Sequence, residues 1–246
     1  MKKLFISRDS IAGDIIRISD SGTIFYLSVV LRLGVGDHIY ASDGYGRAYE
    51  TNIIVMDSKQ IELKILSERA QKEEASTRIT LYQGLPKGGK MDEIVRKSTE
   101  LGVSRIVPVL MERSIPNPEK EASAERHGRW ARIAEEAARQ SQRTSIPEVG
   151  ELINMAEAEE GLVSGGFDLV LVLYELEERL TLKNVLRGKN FSNIAVFIGP
   201  EGGLEKNEVD QLISKGAISV TIGDTILRTE TAGPAAIAMI LYELEL

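Results

Sequence analysis

The chain has 246 residues, enough for one large domain or two unequal ones to bury a core of their own. Its 43% apolar and 27% charged residues are those of an ordinary globular protein, and a net charge of −7 argues against a general polyanion binder while leaving room for a local basic face. There is no cysteine, which excludes disulfides, thiol nucleophiles and cysteine metal sites and fits a reducing compartment.

The opening "MKKLFISRDS" is too short in its apolar part for a signal peptide. The longest apolar run, "LVLVLY" at 169–174, falls far short of the roughly 20 residues that span a bilayer. A cytoplasmic protein without a membrane partner is expected.

Residues 1–68 read as mostly β, with short apolar runs separated by the turns "GVGD" (34–37) and "SDGYG" (42–46). "RAYETNIIVMD" and "QIELKILSE" read as paired strands, and the spacing predicts a small barrel. "RAQKEEAST" (69–77) is polar and aperiodic, so the boundary is placed there, giving a small domain of residues 1–72 and a larger one of 73–246. The first carries net charge +1 and the second −8, so the acid sits in the larger domain.

Beyond the boundary strands alternate with helices. "RITLYQGL" reads as a strand, "DEIVRKSTELG" as a helix stopped by Gly102, "SRIVPVL" as a strand, and "SAERHGRWARIAEEAARQSQR" as a long helix. "FDLVLVLYE" and "NIAVFIGP" read as buried strands, followed by the helix "EKNEVDQLISKG", the strand "AISVTIG" and the closing helix "TETAGPAAIAMILYELE". Continuous apolar strands between helices predict an α/β domain with a mostly parallel sheet covered on both faces.

"GLPKGGKM" (84–91) fits G-x-x-x-x-G-K and then fails as a phosphate loop. The next residue must be Ser or Thr to hold Mg²⁺, and here it is Met91. Pro86 also removes an amide that could cradle phosphate. The plain reading is a glycine turn with exposed lysines, Lys87 and Lys90, which could meet a nucleic-acid backbone.

"FIGPEGGLEKNEV" (197–209) lacks the dinucleotide fingerprint G-x-G-x-x-G. Glu201 inside the turn disfavours a phosphate by charge. A ribose, which donates hydroxyls, or a cation would be welcome, and glycines let backbone approach a flat base. S-adenosylmethionine has adenine, ribose and a sulfonium cation. The alternative is a turn that merely joins strand to helix, with Glu201 solvated.

In "TIGDTILRTETAGPAAIAMI" (221–240) the run Thr229-Glu230-Thr231 has helix-start chemistry. A capped core helix explains the threonines. It explains Arg228 less well, since an arginine there suits a carboxylate or an oxyanion. In the long helix Arg126, Arg129, Arg132, Glu136, Arg139 and Arg143 recur at three- and four-residue spacing on one face. That face is either a solvated stripe or a phosphate-contacting one for RNA. His38 and His127 are far apart, no metal site is expected, and no G-x-S-x-G supports a serine triad.

Together "LPKGGKMDEIVRKSTELGVSRIVPV", "RWARIAEEAARQSQR", "FIGPEGGLEKNEV" and "ILRTETAGPAAIAMI" resemble the bacterial 16S rRNA (uracil-N3)-methyltransferases of the SPOUT superfamily. "VVLRLGVGDHIYASDGYG" is similar to that family's small PUA-like domain. The resemblance covers nearly the whole chain in matching order. It implies a C-terminal trefoil-knot domain, a homodimer, S-adenosylmethionine in the knot, and methylation of N3 of one uridine in the 16S rRNA of the small subunit. The cofactor cleft would be lined by Leu173, Tyr174, Gly199, Glu201, Gly202, Gly203, Ile222, Gly223, Leu227, Thr229 and Thr231. Arg8, Arg32, Lys87, Lys90, Arg139 and Arg143 would face RNA. The family often has His where Tyr26 stands.

Uridine N3 carries a proton, so a base must remove it or the anion must be stabilised. Arg228, or an arginine of the partner's 139–143 region, would stabilise charge on the uracil carbonyls. Glu201 would orient the cofactor or take the proton; the sequence leaves these roles open. The other readings are an rRNA-binding module without catalysis and, far behind, a nucleotide hydrolase using Lys90.

Overall fold

The computed structural model describes residues 3–44, 46–70, 76–115, 120–141 and 143–245. The chain divides into two compact units, Met1–Glu74 with Gln142–Ser145, and Ala75–Ser141 with Ile146–Leu246.

The smaller unit contains β1 (Lys3–Phe5), β2 (Ile11–Ala12), β3 (Ile15–Ile18), the short helix α1 (Ser21–Phe25), β4 (His38–Ser42), β5 (Arg47–Met56) and β6 (Ile61–Ala70). The sheet runs β1-β4-β5-β6-β3-β2, with β1 parallel to β4 and the other pairs antiparallel. The path has two edges, β1 and β2, where the spacing predicted a barrel. β1 has three residues and β2 two, too few to close the ladder. β5 buries alternate residues Tyr49, Thr51 and Ile53, so one face of the hairpin meets the core. Asp20 caps α1 by accepting the N–H of Thr23 at 2.6 Å; the sequence reading had no helix there. Residues 143–145 join this unit, where Lys3 Nζ donates to the carbonyl of Arg143.

The larger unit contains β7 (Arg78–Gly84), α2 (Lys90–Leu101), β8 (Arg105–Leu110), α3 (Lys120–Gln140), β9 (Glu148–Val149), β10 (Ile153–Asn154), α4 (Met155–Ser164), β11 (Leu169–Leu173), α5 (Leu182–Leu186), β12 (Asn193–Ile198), α6 (Lys206–Ser214), β13 (Ile218–Val220) and α7 (Thr229–Glu245). All its strand pairs are parallel, in the order β10-β8-β7-β12-β11-β13, with β9 beside β8. The expected parallel α/β sheet is present.

Both faces of this sheet are covered, and period-two alternation sorts the side chains between them. Ile79, Leu81, Ile194, Val196 and Ile198 join a core with Met91, Ile94, Trp130, Leu182 and Ile237, residues of α2, α3, α5 and α7. Tyr82, Ala195 and Phe197 join the opposite core with Leu162, Val209 and Leu212 of α4 and α6. The rings of Tyr82 and Phe197 stack at 4.5 Å.

α2 ends where predicted: Gly102 is left-handed (φ +107°) and its N–H bonds to the carbonyls of Ser98 and Thr99. α3 stops at Gln140, short of the prediction; the N–H and the hydroxyl of Ser141 both donate to the carbonyl of Ala137, at 2.9 and 2.7 Å. Arg143 therefore leaves the helix and does not share a face with Arg139. Pro234 falls in the second turn of α7. Among the described residues no helix is long and apolar enough to cross a membrane.

Candidate active site

The registers align four strand ends in one row. Gln83 of β7 pairs with Ile198 of β12, Ile198 with Leu173 of β11, and Leu173 with Val220 of β13. The loops after these strands leave the carboxyl edge together, where open parallel sheets place ligands. They enclose a cavity of about 710 Å³.

Its wall takes Leu173 and Tyr174 from the first loop, Gly199, Glu201, Gly202 and Gly203 from the second, and Ile222, Gly223, Leu227, Arg228 and Thr229 from the third. Thr231 is exposed and outside the lining, since two residues of helix turn it away from Thr229. Missed by the sequence reading are Glu175, Glu177 and Glu178; Asp224 and Glu230 come from the 222–231 loop expected to line the cleft. With Glu201 they put six carboxylates on the wall against Lys90 and Arg228. Among the described residues no group of His, Asp and Glu could hold a metal ion.

A buried knot of hydrogen bonds fixes the floor. Gln83, fully buried, donates through Nε2 to the hydroxyl of Thr229 at 2.9 Å, and that hydroxyl donates to the carbonyl of Gly199 at 2.7 Å. One side chain thus ties the end of β7, the glycine turn and the start of α7. Gln83 sits inside an apolar strand pattern, so a buried amide there was the available signal.

The structure gives the glycines a reason that the sequence did not show. A Cβ on Gly199 would stand 2.7 Å from the carbonyl carbon of Gly203 and 2.8 Å from the N of Leu204. Gly203 is left-handed (φ +74°), and a Cβ there would fall on the Glu175 carboxylate. At both positions the missing Cβ leaves room for other parts of the protein.

Glu201 is held by the other glycine turn. Its Oε1 accepts the backbone N–H of Lys87 at 3.0 Å and lies 2.9 Å from Lys90 Nζ. Desolvation pushes its pKa up, but the Lys90 hydrogen bond and charge and the Lys87 and its own N–H groups outweigh it, leaving the carboxyl below the usual range. A carboxylate so stabilised is a poor proton acceptor. Glu201 is thus an anchor for the turn, and of the two roles left open the geometry disfavours the base. Lys90 also lies 3.7 Å from Glu230 Oε2, a buried oxygen without a hydrogen-bond partner. Its ammonium faces two carboxylates, with the side chain 38% exposed. Arg228 is 86% exposed at the cavity wall, 4.0 Å from Glu230.

The other RNA candidates divide. Arg32 is exposed and left-handed (φ +54°), an unusual conformation for a residue with a side chain. Lys87 is exposed. Arg8 pairs with the buried carboxylate of Asp43 at 2.8 Å, and Arg139 with Glu135 at 2.8 Å. Arg143 is only 9% exposed and donates to Ser145.

A parallel sheet with a ligand-sized cleft at its carboxyl edge defines a ligand-binding α/β fold. The chain belongs to the RNA methyltransferase family, whose pattern it matches over residues 73–241. It is 34% identical to the ribosomal RNA small subunit methyltransferase E of Synechocystis over 90% of this chain and 71% of that protein. To the protein of that name from Bacillus subtilis it is 28% identical over 91% and 88%. Among solved structures it resembles a ribosomal RNA small subunit methyltransferase E of Neisseria gonorrhoeae bound to S-adenosyl methionine, with a TM-score of 0.85, 31% identity and 99% and 98% of the two chains covered.

Proposed function

We propose that the protein transfers a methyl group from S-adenosylmethionine to N3 of one uridine in the 16S rRNA of the small ribosomal subunit, in the cytoplasm. The observation that carries the reading is the carboxyl-edge cavity. Its volume suits a nucleoside, and its excess of carboxylates suits a cationic one. The donor, when bound, supplies an already activated methyl group.

The chain's own residues do the rest. Gly199 and Gly203, with Leu173, Ile222 and Leu227, hold the nucleoside end. Arg228, exposed at the wall, stabilises the negative charge that the uracil carbonyls develop as N3 gives its proton to solvent water, and the anion then takes the methyl group while the donor leaves as the neutral thioether. Glu201 keeps the turn in place through Lys90.

In this reading the larger unit is a SPOUT trefoil-knot domain and the smaller one a PUA-like RNA-binding domain presenting Arg32. The protein works as a homodimer. α7 is apolar around its circumference, yet Met239 is 44% and Tyr242 70% exposed beside an apolar cavity of about 590 Å³ against α5. A second copy covering that face explains it. Tyr242→Asp should shift the mass measured by light scattering from dimer to monomer; an unchanged dimer would place the interface elsewhere.

The test of function is calorimetric titration with S-adenosylmethionine, with Mg-ATP in parallel, followed by methyl transfer to unmodified small subunits and mapping of the modified base. Binding of the first alone and an N3-methyluridine product are expected. RNA binding without cofactor binding would favour a non-catalytic module.

A further inference from the structure

Gly202 is a glycine because of a residue far away in sequence. A Cβ there would stand 3.1 Å from Cβ and 3.2 Å from Cδ of Arg113, so the arginine stem lies across it. The guanidinium closes over the turn: Nη1 donates to the carbonyl of Gly202 at 2.6 Å, and Nε to the Glu205 carboxylate at 2.8 Å. Glu205 is the N-cap of α6. Beside Arg113, the N–H of Glu112 donates to Glu208 Oε1 at 2.9 Å, while Glu208 Oε2 accepts the N–H of Glu205 at 2.8 Å. Three bonds thus stitch the loop after β8 to the turn after β12, although β7 lies between those strands.

Gly202 and Gly203 line the cavity and Arg113 does not. Arg113 also lies outside the buried core. Its side chain is 41% exposed, α6 has its own capping box, and β12 is buried almost throughout. A glycine turn ordered before its ligand arrives binds without the entropy cost of ordering.

We propose that Arg113 is a positioning residue for the cofactor, holding Gly202 and Gly203 in the binding shape without touching the ligand. The inference rests on the S-adenosylmethionine reading above. Lysine carries the charge but lacks the fork that spans a carbonyl and a carboxylate at once, so Arg113→Lys should rescue only partly.

The experiment compares full-length wild type, Arg113→Ala and Arg113→Lys. S-adenosylmethionine is titrated by calorimetry, turnover on small subunits is measured at saturating cofactor, and amide exchange across 199–204 is followed in the unliganded protein. Arg113→Ala should raise the cofactor Kd about tenfold and Arg113→Lys about threefold, with saturated kcat within about twofold. The amides of Gly202, Gly203 and Leu204 should exchange faster in unliganded Arg113→Ala. Unchanged affinity and exchange, with wild type binding normally, would overturn the role of Arg113 and leave the cofactor reading intact. A fall in kcat at unchanged Kd would make the residue part of the chemistry and overturn the positioning role. Wild type that binds no S-adenosylmethionine would bring down both.

Discussion

Two glycine turns leave the carboxyl ends of the paired strands β7 and β12, and they treat charge in opposite ways. The turn at 84–90 brings lysines and looks like a phosphate loop. The turn at 199–203 brings a carboxylate and looks unfit for phosphate. In the fold they are one structure. Glu201 of the second accepts the Lys87 amide and the Lys90 ammonium of the first, and Gly84 leaves room for Pro200. The groups that would have gripped a phosphate are used to shape a pocket for something else. A motif's charge is informative only once its neighbour across the sheet is known.

The largest effect should come from forcing the turns apart. A Cβ on Gly84 would stand 2.6 Å from both N and Cδ of Pro200 and 2.8 Å from Met111 Sδ. Gly84→Ala should cost about 2–4 kcal/mol in chemical denaturation, because backbone has to move. A loss below about 0.5 kcal/mol would mean that the turns separate freely. Next comes the second turn alone. Gly199→Ala would press on the backbone of Gly203 and Leu204, and should weaken S-adenosylmethionine binding by about tenfold or more in calorimetry, roughly the 1.4 kcal/mol that a distorted contact costs.

The ion pair between the turns should be worth less. Both partners are partly exposed, so a double-mutant cycle of Lys90→Met and Glu201→Gln should give a coupling of about 0.5–1 kcal/mol. Zero coupling would reduce the link to the Lys87 amide bond.

The smallest effect is in pH. Glu201 has its pKa lowered from 4.5, so its contribution to stability is complete above about 4.5 and fades as pH falls through the depressed native value. Lys90 has its pKa raised from 10.5 by the same hydrogen bond, so its contribution is complete below 10.5 and fades only in stronger alkali. Between pH 5 and 9 the pair should add no slope. Denaturation midpoints of wild type and Glu201→Gln should converge in acid and stay parallel in that window; a gap that widens in acid would contradict the depressed pKa.

Much of this fold was legible because of how its strands are buried. "NIAVFI" is apolar at every position after the first because both of its faces are covered, and such a run is hard to misread. α4 was missed because Ala158 and Leu162 are its only fully buried residues, too few to show a period among its acids. α5 was missed because five residues hold barely one turn beyond its Thr181 cap. The glycines of the cavity were legible, but not the packing of Gly199 against Gly203 and Leu204 or of Gly203 against Glu175. Arg113 lies 89 residues from Gly202 and Lys87 lies 114 from Glu201, and only strand order brings them together. Arg143 was placed on a helix by spacing alone, and that helix ends at Gln140.

The return of residues 142–145 to the smaller unit has a consequence for how this architecture can be rearranged. The backbone passes between the units three times, so the small one is not a cassette that can be cut at one point and moved to another protein. A fragment ending near residue 74 would lack the Arg143 carbonyl that takes the Lys3 ammonium, and the Thr144 carbonyl 3.5 Å from the Ser42 hydroxyl. Any recombination that kept both halves working would have had to carry a four-residue piece of one inside the other's reading frame.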